Sequence, residues 1–381
     1  MSEAATPAIK QFDNFIAADG PAALVVRERL IPAEGADAVF FPATYADIGY
    51  NIDWENQKDR SGRNLCLIDS VGSQANRIEP MFKEEPYAAL VPQIVIKAGE
   101  KEINLLDAGH RAGDAIARCS ALKDELNAAF QAILRNQNAL PLARIAPTSI
   151  VFGVWDSRDT QAKLPRLIAS TIRAYDVRKL TRSATYIAPF DYASANVFTE
   201  EEKQKAEGDD KNPLSKRGFV NALATGSHGG VIAEGGIRRD AVLALSALRL
   251  LNADTPENTL NLRRYILSLA LVAFTKLPLA YYRQGTILTL DPEGNREFKS
   301  VNNDGTRSDV TFTHAEALAF AQSAAKGFII GKCRTLIFDE GKAKSDLQET
   351  KEEKKKAKGK KASTSSEVAS SEIDPATDRA E

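Results

Sequence analysis

Hydrophobic and polar positions along the chain predict short strands interleaved with helices. Residues 22–31 begin with an apolar run and then alternate, which indicates a strand. Residues 113–137 place apolar side chains at near-helical spacing, and a D-T-P-E start at 254–257 predicts a second helix to about residue 277. Because these elements lack a regular βαβ cadence, the pattern favours an α+β sheet with helices on one face and sizeable insertions.

The most informative stretch, 149–183, joins an apolar run to a cluster of cations. Residues 149–155 are β-branched and aromatic and predict a strand. Apolar positions between 164 and 175 fit a helix, yet 171–177 also fit a strand, and periodicity does not decide between them. The seven cations of this stretch are Arg158, Lys163, Arg166, Arg173, Arg178, Lys179 and Arg182.

Only Asp159 and Asp176 oppose these cations, so 158–182 carries +5 while the whole chain carries −1. A local excess of arginine predicts a polyanion partner, because guanidinium groups grip phosphate oxygens bidentately and release counterions. A near-neutral chain argues against indiscriminate coating by nucleic acid, so the predicted site is local. The alternative is a solvated helix face with modest ion pairing.

Two further segments are candidates for phosphate contacts. At a predicted strand-to-helix junction, 69–79, Ser73, Gln74, Asn76 and Arg77 offer donors to a phosphate at a helix N-terminus. An ordinary polar helix start is the alternative. The glycine-rich loop 226–236, expected to run into a helix over 237–251, lets a backbone approach a ligand, and Arg238 and Arg239 supply charge. A packing loop is the alternative there.

Composition and motifs exclude several classes of protein. Three cysteines and three histidines, scattered along 381 residues, make a zinc site or a disulfide framework improbable, so no metal is predicted. No phosphate-binding or dinucleotide motif and no nucleophile elbow is present, so we expect no cofactor and no catalytic residues. No signal peptide or membrane span is visible, and we expect a cytoplasmic, reduced protein.

The charged end of the chain differs from the rest. Residues 340–381 are rich in Lys, Glu, Ser and Thr without apolar periodicity and are predicted to be a disordered tail. Residues 1–339 are interpreted as one domain. Within it, the charged segment 194–217 is expected to be an exposed insertion.

Several separated motifs resemble one known family. V-F-G-V-W-D-S, K-L-P-R-L-I-A-S-T-I-R-A-Y-D-V and L-T-R-S-A-T-Y, together with L-I-D-S-V-G-S-Q-A-N-R-I-E and G-G-V-I-A-E-G-G-I-R-R-D, resemble the backbone subunit of type I-G (formerly I-U) CRISPR Cascade interference complexes. That subunit belongs to the RAMP superfamily. The resemblance spans roughly residues 20–338.

The resemblance implies an RRM-like (ferredoxin-like) palm, enlarged by insertions into a hand-shaped subunit with a thumb at 180–217. Copies of such a subunit polymerise along CRISPR guide RNA and present its bases to target DNA. By analogy, Ser73 to Arg77 lie where related subunits grip guide phosphates. Tyr186, Phe190, Tyr192 and Phe198 are candidates for the thumb's apolar wedge.

The implied partners are guide RNA, further copies of the chain, target DNA, a large subunit, a guide-end-binding and processing subunit, and a recruited helicase-nuclease. No membrane is involved, and catalysis belongs to the partners. Two alternatives come from other classes: a RAMP-type RNA-processing endoribonuclease and a general single-strand-binding protein. The second predicts aromatic stacking platforms, whereas aromatic residues make up only 7% of the chain.

Overall fold

The computed structural model describes residues 7–348 and has an α+β fold. Its strands in chain order are β1 (Ala23–Pro32), β2 (Thr44–Tyr45), β3 (Gly49–Tyr50), β4 (Ile52–Asn56), β5 (Ser61–Asp69), β6 (Ile94–Ala98), β7 (Lys101–Asn104), β8 (Val154–Trp155), β9 (Lys163–Leu164), β10 (Ile168–Tyr175), β11 (Val177–Tyr186), β12 (Ala222–Ala233), β13 (Ile237–Ala244), β14 (Tyr281–Arg283), β15 (Thr286–Leu290), β16 (Glu297–Val301), β17 (Arg307–Asp309) and β18 (Arg334–Ile337). Its α-helices are α1 (Pro7–Lys10), α2 (Val71–Ile78), α3 (Ala115–Arg118), α4 (Lys123–Asn136), α5 (Leu140–Ile145), α6 (Pro147–Phe152), α7 (Glu200–Ala206), α8 (Pro213–Lys216), α9 (Leu245–Leu248), α10 (Pro256–Thr275) and α11 (His314–Phe328).

The chain divides into two compact units, and the single domain that the sequence predicts over 1–339 stays a prediction. The first unit contains the chain up to Ile78, Leu167–Leu250 and Ala270–Phe320. The second unit contains Glu79–Arg166, Leu251–Leu269 and the chain from Ala321 onward. The basic stretch 158–182 is therefore split, with its first three cations in the second unit and the remaining four in the first.

A large antiparallel sheet forms the first unit. Its strands follow the order β14-β15-β1-β13-β10-β5-β4, and β16 also pairs with β1. Four of these strands are β1, β10, β13 and β15 in chain order. Across the sheet they lie as β15-β1-β13-β10, which is the order fourth-first-third-second. In the sequence, α2 lies between β1 and β10, and α10 lies between β13 and β15. This is the order of the ferredoxin-like, or RRM-like, βαββαβ fold. The expected α+β fold with insertions is confirmed.

The strands β11 and β12 form a separate antiparallel pair in the first unit. The intervening segment 187–221 carries α7, which begins with a capping box between Thr199 and Glu202, and α8. This segment includes most of the predicted thumb, 180–217. The predicted helix over 237–251 is wrong, because 237–244 form β13 and only Leu245–Leu248 are helical.

The second unit contains a three-stranded sheet, β18-β6-β7, in which β18 is parallel to β6. The strand predicted at 149–155 is wrong, since 147–152 form α6 and only Val154–Trp155 are extended. Pro147 stands in the first turn of α6, and every residue of this helix is buried. A segment that is buried on all sides has no alternation of apolar and polar residues, so periodicity cannot distinguish a helix from a strand there. Tertiary packing decides between the two conformations.

The predicted disordered tail begins differently in the structure. Residues 340–348 are helical. They are fixed on the second unit by a hydrogen bond from Lys342 Nζ to the carbonyl oxygen of Ser120 at 3.0 Å and by an ion pair between Arg118 and Asp346 at 3.0 Å. Residues 349–381, the rest of the predicted tail, lie outside the described residues. Across 7–348, no helix has the length and apolar character needed to cross a membrane.

A buried ion pair joins the two central strands of the first unit. Glu28 on β1 and Arg239 on β13 are cross-strand partners, and both are almost completely buried, at 1% and 3% exposure. Arg239 Nε donates to one carboxylate oxygen of Glu28, and Arg296 Nε lies 3.1 Å from the other oxygen. Removing one partner of such a pair leaves a charge without compensation in a low-dielectric interior.

We therefore expect Arg239→Met to lower the free energy of unfolding by about 3 kcal/mol, because Arg296 alone then faces the buried Glu28 carboxylate. Arg238→Met is the matched control, since Arg238 is its neighbour in β13 and is partly exposed. Urea unfolding should show less than about 1 kcal/mol for this control. Equal losses for the two variants would contradict the structural role given to Arg239.

Candidate nucleic-acid interface

The sheet of the first unit has one buried face and one partly open face. Along β10, Ser170, Ile172 and Ala174 are buried, while the alternating Arg173 and Tyr175 are partly exposed. Along β13, Arg239 is buried, and Arg238 and Asp240 are partly exposed. Because successive strand residues point to opposite faces, Arg238 and Arg239 cannot serve the same surface.

Three arginines form a row across the open face. Arg238 on β13 pairs in register with Arg29 on β1 and with Arg173 on β10. The side chain of Arg29 is 60% exposed and that of Arg238 is 33% exposed. We call Arg29, Arg238 and Arg173 the arginine row. It places three guanidinium groups on three adjacent strands, which lie about 4.8 Å apart.

Neighbouring side chains orient the arginine row without covering it. Asp240 contacts Arg238 at 2.9 Å and Arg27 at 3.3 Å, so one carboxylate serves two guanidinium groups. Asp291 lies 3.5 Å from Arg29, and Thr171 accepts a hydrogen bond from Arg173 at 2.8 Å. These contacts restrict the arginines while leaving further donors of each guanidinium for a ligand.

An aromatic ring lies beside the row. The guanidinium carbon of Arg238 is 4.8 Å from the ring centre of Tyr175, which is a cation–π distance. Stacking of this kind fixes the plane of the guanidinium. Arg238, in the middle of the row, is therefore held in place by Tyr175 and Asp240.

The remaining first-unit cations of the basic stretch 158–182 lie on β11, which starts two residues after β10 ends. Arg178, Lys179 and Arg182 are all exposed. Arg178 pairs with Glu234 at 2.9 Å, and both side chains are more than half exposed. Arg178, Lys179 and Trp54 line one open groove of about 650 Å³ in this unit. An exposed pair such as Arg178–Glu234 is worth little and exchanges readily for a phosphate contact.

The strand-to-helix junction is a cap and a buried polar network. Ser70 Oγ accepts the backbone N–H of Ser73 at 3.2 Å, so this donor is already used at the start of α2. Gln74 is buried, donates to Asp69 and accepts a hydrogen bond from Ser170 Oγ at 2.9 Å. Asn76 is exposed on the same helix.

Arg77 is held at the edge of this network. Its Nε lies 3.1 Å from the Asp69 carboxylate, and its guanidinium lies 5.5 Å from the ring centre of Tyr282. Burial raises the pKa of Tyr282 to about 12, with Asp69 and Glu28 adding to the effect and Arg239 and Arg77 opposing it. Tyr282 therefore remains a neutral phenol.

Two of the proposed contact residues, Gln74 and Arg239, are thus occupied inside the protein. Strand alternation places Arg239 on the buried face and Arg238 on the open face. The predicted helix over 237–251 does not include this alternation, so it does not distinguish the two arginines. The same alternation shows what the sequence interpretation missed. The R-E-R sequence at 27–29 alternates on β1, so Arg27 and Arg29 share the open face while Glu28 is buried.

The first three cations of the basic stretch lie in the second unit. Arg158, Lys163 and Arg166 are exposed. Lys163 Nζ lies 5.4 Å from the ring centre of Trp155. Partial burial, together with the positive charge of Arg111, lowers the pKa of Arg166. In the described residues, no group of three or more His, Cys, Asp or Glu side chains is arranged to hold a metal ion.

The buried network gives a test that separates a structural glutamine from an RNA contact. Gln74→Ala should lower the free energy of unfolding by about 1–3 kcal/mol, because Asp69 and Ser170 lose their buried partner. Asn76→Ala, on the exposed side of α2, should cost less than Gln74→Ala, because water can replace a lost contact at an exposed position. Thermal or urea unfolding measures both. A Gln74→Ala protein of unchanged stability would return Gln74 to the list of ligand contacts.

Comparison with known families gives one match. Residues 24–179 match the family described as CRISPR-associated protein GSU0053 (Cas_GSU0053), which is less than half of the chain. The matched region begins in β1 and ends in β11, so it includes Arg29 and Arg173. The match supports a CRISPR-associated protein. No curated protein matches the chain.

Proposed function

We propose that this CRISPR-associated chain is a non-catalytic, RNA-binding backbone subunit of a type I-G Cascade complex and a member of the RAMP superfamily. In this proposal, the arginine row holds phosphates of the CRISPR guide RNA. The row carries the proposal because three registered guanidinium groups on an open sheet face match the repeated charge of a single strand. Base identity is left to pairing with target DNA, as in other RNA-guided systems.

The dimensions of the row also bear on the number of copies. Three adjacent strands span about 10 Å between the outer two, enough for only about two or three phosphates. A guide of useful length therefore needs several such surfaces in succession. This favours further copies of the chain along one RNA. The proposal adds, from the family resemblance alone, the large subunit, the guide-end-binding and processing subunit, target DNA and the helicase-nuclease as partners.

The arginine row predicts a defined salt dependence. Replacing Arg29, Arg173 and Arg238 together by Gln should weaken binding of single-stranded guide RNA and reduce the slope of log K against log salt by up to about 2. The reason is that each lost phosphate contact releases about 0.7 fewer counterions on a single strand. Fluorescence anisotropy at several salt concentrations measures both quantities.

The matched control removes the same charge from the second unit. Lys101, Arg135 and Lys332 are exposed there, and their replacement by Gln changes the net charge equally. The control should keep the wild-type affinity and slope within error. If the two triple variants behave alike, the effect is one of net charge and the row is not the RNA surface.

A cleavage assay tests the non-catalytic part of the proposal. Purified protein incubated with guide precursor RNA, with and without Mg²⁺, should leave the RNA intact. Guanidinium groups donate hydrogen bonds to phosphate oxygens, and cleavage would need a further group that accepts a proton as general base. Specific cleavage that disappears on mutation of one residue of this chain would instead establish the endoribonuclease alternative.

A further inference from the structure

An exposed tryptophan lies in the second unit, among the three cations assigned above to that unit. Trp155 is 55% exposed, whereas Val154, beside it in β8, is buried. Trp155 pairs in register with Lys163 on β9. An indole left in water is costly, and large aromatic side chains on a surface commonly mark a contact with a partner.

The backbone around Trp155 is rigid. Gly113 lies so close that a Cβ atom there would be 2.8 Å from the carbonyl oxygen of Trp155. The loop after Trp155 is closed by a hydrogen bond from Asp156 N to Ala162 O at 2.9 Å. The buried Asp156 carboxylate also accepts the backbone N–H and the hydroxyl of Thr160, at 2.8 and 2.6 Å.

A second buried group, the Arg111–Glu79 pair, contacts the chain just before β8. Arg111, 3% exposed, pairs with the buried Glu79 at 2.6 Å and donates to the carbonyl oxygen of Gly153 at 3.3 Å. Burial raises the pKa of Glu79 to about 7, against the opposing effects of Arg111 and Thr148. These contacts hold the backbone two residues before Trp155, which lowers the ordering cost of a contact made by the indole.

The charges near this indole are mainly positive. Lys163 Nζ lies over the Trp155 ring at 5.4 Å. Arg158 projects from the closed loop, and the side chain of Arg166 packs against Gly153, where a Cβ atom would come within 2.7 Å of its Cγ. Asp159 is the exposed carboxylate of the same loop. One cation over the aromatic ring, with two further cations and one exposed acid on the adjoining loop and the residues that follow it, suits an anionic ligand that also carries a planar group.

We infer that Trp155 is a base-stacking platform for single-stranded nucleic acid, and that Lys163, Arg158 and Arg166 hold the phosphates on either side of the stacked base. Every base has a π-face, so this contact requires no particular sequence. A protein partner is the weaker interpretation, because the surroundings of the ring are cationic rather than apolar. The inference rests on the proposed function and adds to it a stacking contact with the plane of one base.

Tryptophan fluorescence provides a direct test. The chain has two tryptophans, Trp54 and Trp155, so a Trp54→Phe protein reports on Trp155 alone. Titration with oligo(rU), with oligo(dT) and with an abasic ribose-phosphate oligomer of equal length separates base stacking from phosphate contact. We expect quenching by the oligomers that carry bases and none by the abasic one. The ratio of the rU and dT affinities shows whether RNA or DNA is the better ligand.

Variants then separate the ring from the charges. Trp155→Ala should weaken oligo(rU) binding about 5- to 150-fold, with no change in the salt slope, because it removes stacking and no phosphate contact. Trp155→Phe should retain most of the affinity. Lys163→Gln should lower the salt slope by about 0.7. Circular dichroism checks that the variants are folded.

Three results would overturn the inference. If wild-type protein binds RNA while Trp155 is not quenched and Trp155→Ala binds normally, the platform is absent and the proposed function stands. If Trp155→Ala alters self-association in sedimentation but leaves RNA affinity unchanged, the ring is a protein contact. If the wild-type chain binds neither oligo(rU) nor guide RNA, the inference and the proposed function both fail.

Discussion

The pairing of β1 with β13 is the constraint on which the first unit depends. Its register places Glu28 opposite Arg239 and Arg29 opposite Arg238. Because side chains alternate between faces, one choice of register puts an ion pair into the interior and arginines on the surface. A shift of β13 by a single residue would turn Arg238 toward the buried face and Arg239 toward the open face, leaving the buried Glu28 without its partner. The buried pair therefore stabilises the arrangement that creates the open cationic face, at the desolvation cost that such pairs carry.

The two units present cations in different ways. In the first unit, cations from β1, β10 and β13 come together through the register of a sheet, although they are distant in sequence. In the second unit, Arg158, Lys163 and Arg166 lie close in sequence on one loop and its flanking residues, beside Trp155. The first arrangement suits regular phosphates, and the second suits one base with its flanking phosphates. A backbone subunit that leaves sequence recognition to base pairing has use for both kinds of contact.

Much of the secondary structure could be predicted from periodicity. The helix at 256–275, the helix at 123–136 and the helix after Asp69 all lie where the pattern predicts them or close to it. The failures occurred where periodicity carries no information. Residues 149–152 are buried on every side in α6, and 237–244 alternate as β13 after a glycine-rich segment that lies mostly in β12 and not in the predicted loop. In both places, tertiary packing decided between two conformations that the local sequence allows.

By itself, the sequence determined the α+β class, the local excess of cations and the resemblance to a CRISPR backbone subunit. It determined these because composition, charge and motifs depend only on which residues occur and on their order along the chain, and not on which residues come into contact. Only the tertiary structure decided which cations share a surface. Strand register joined Arg29 to Arg238 and Arg173, and burial removed Gln74 and Arg239 from that surface. Such choices depend on contacts between residues that are far apart in the chain, and no local pattern records them.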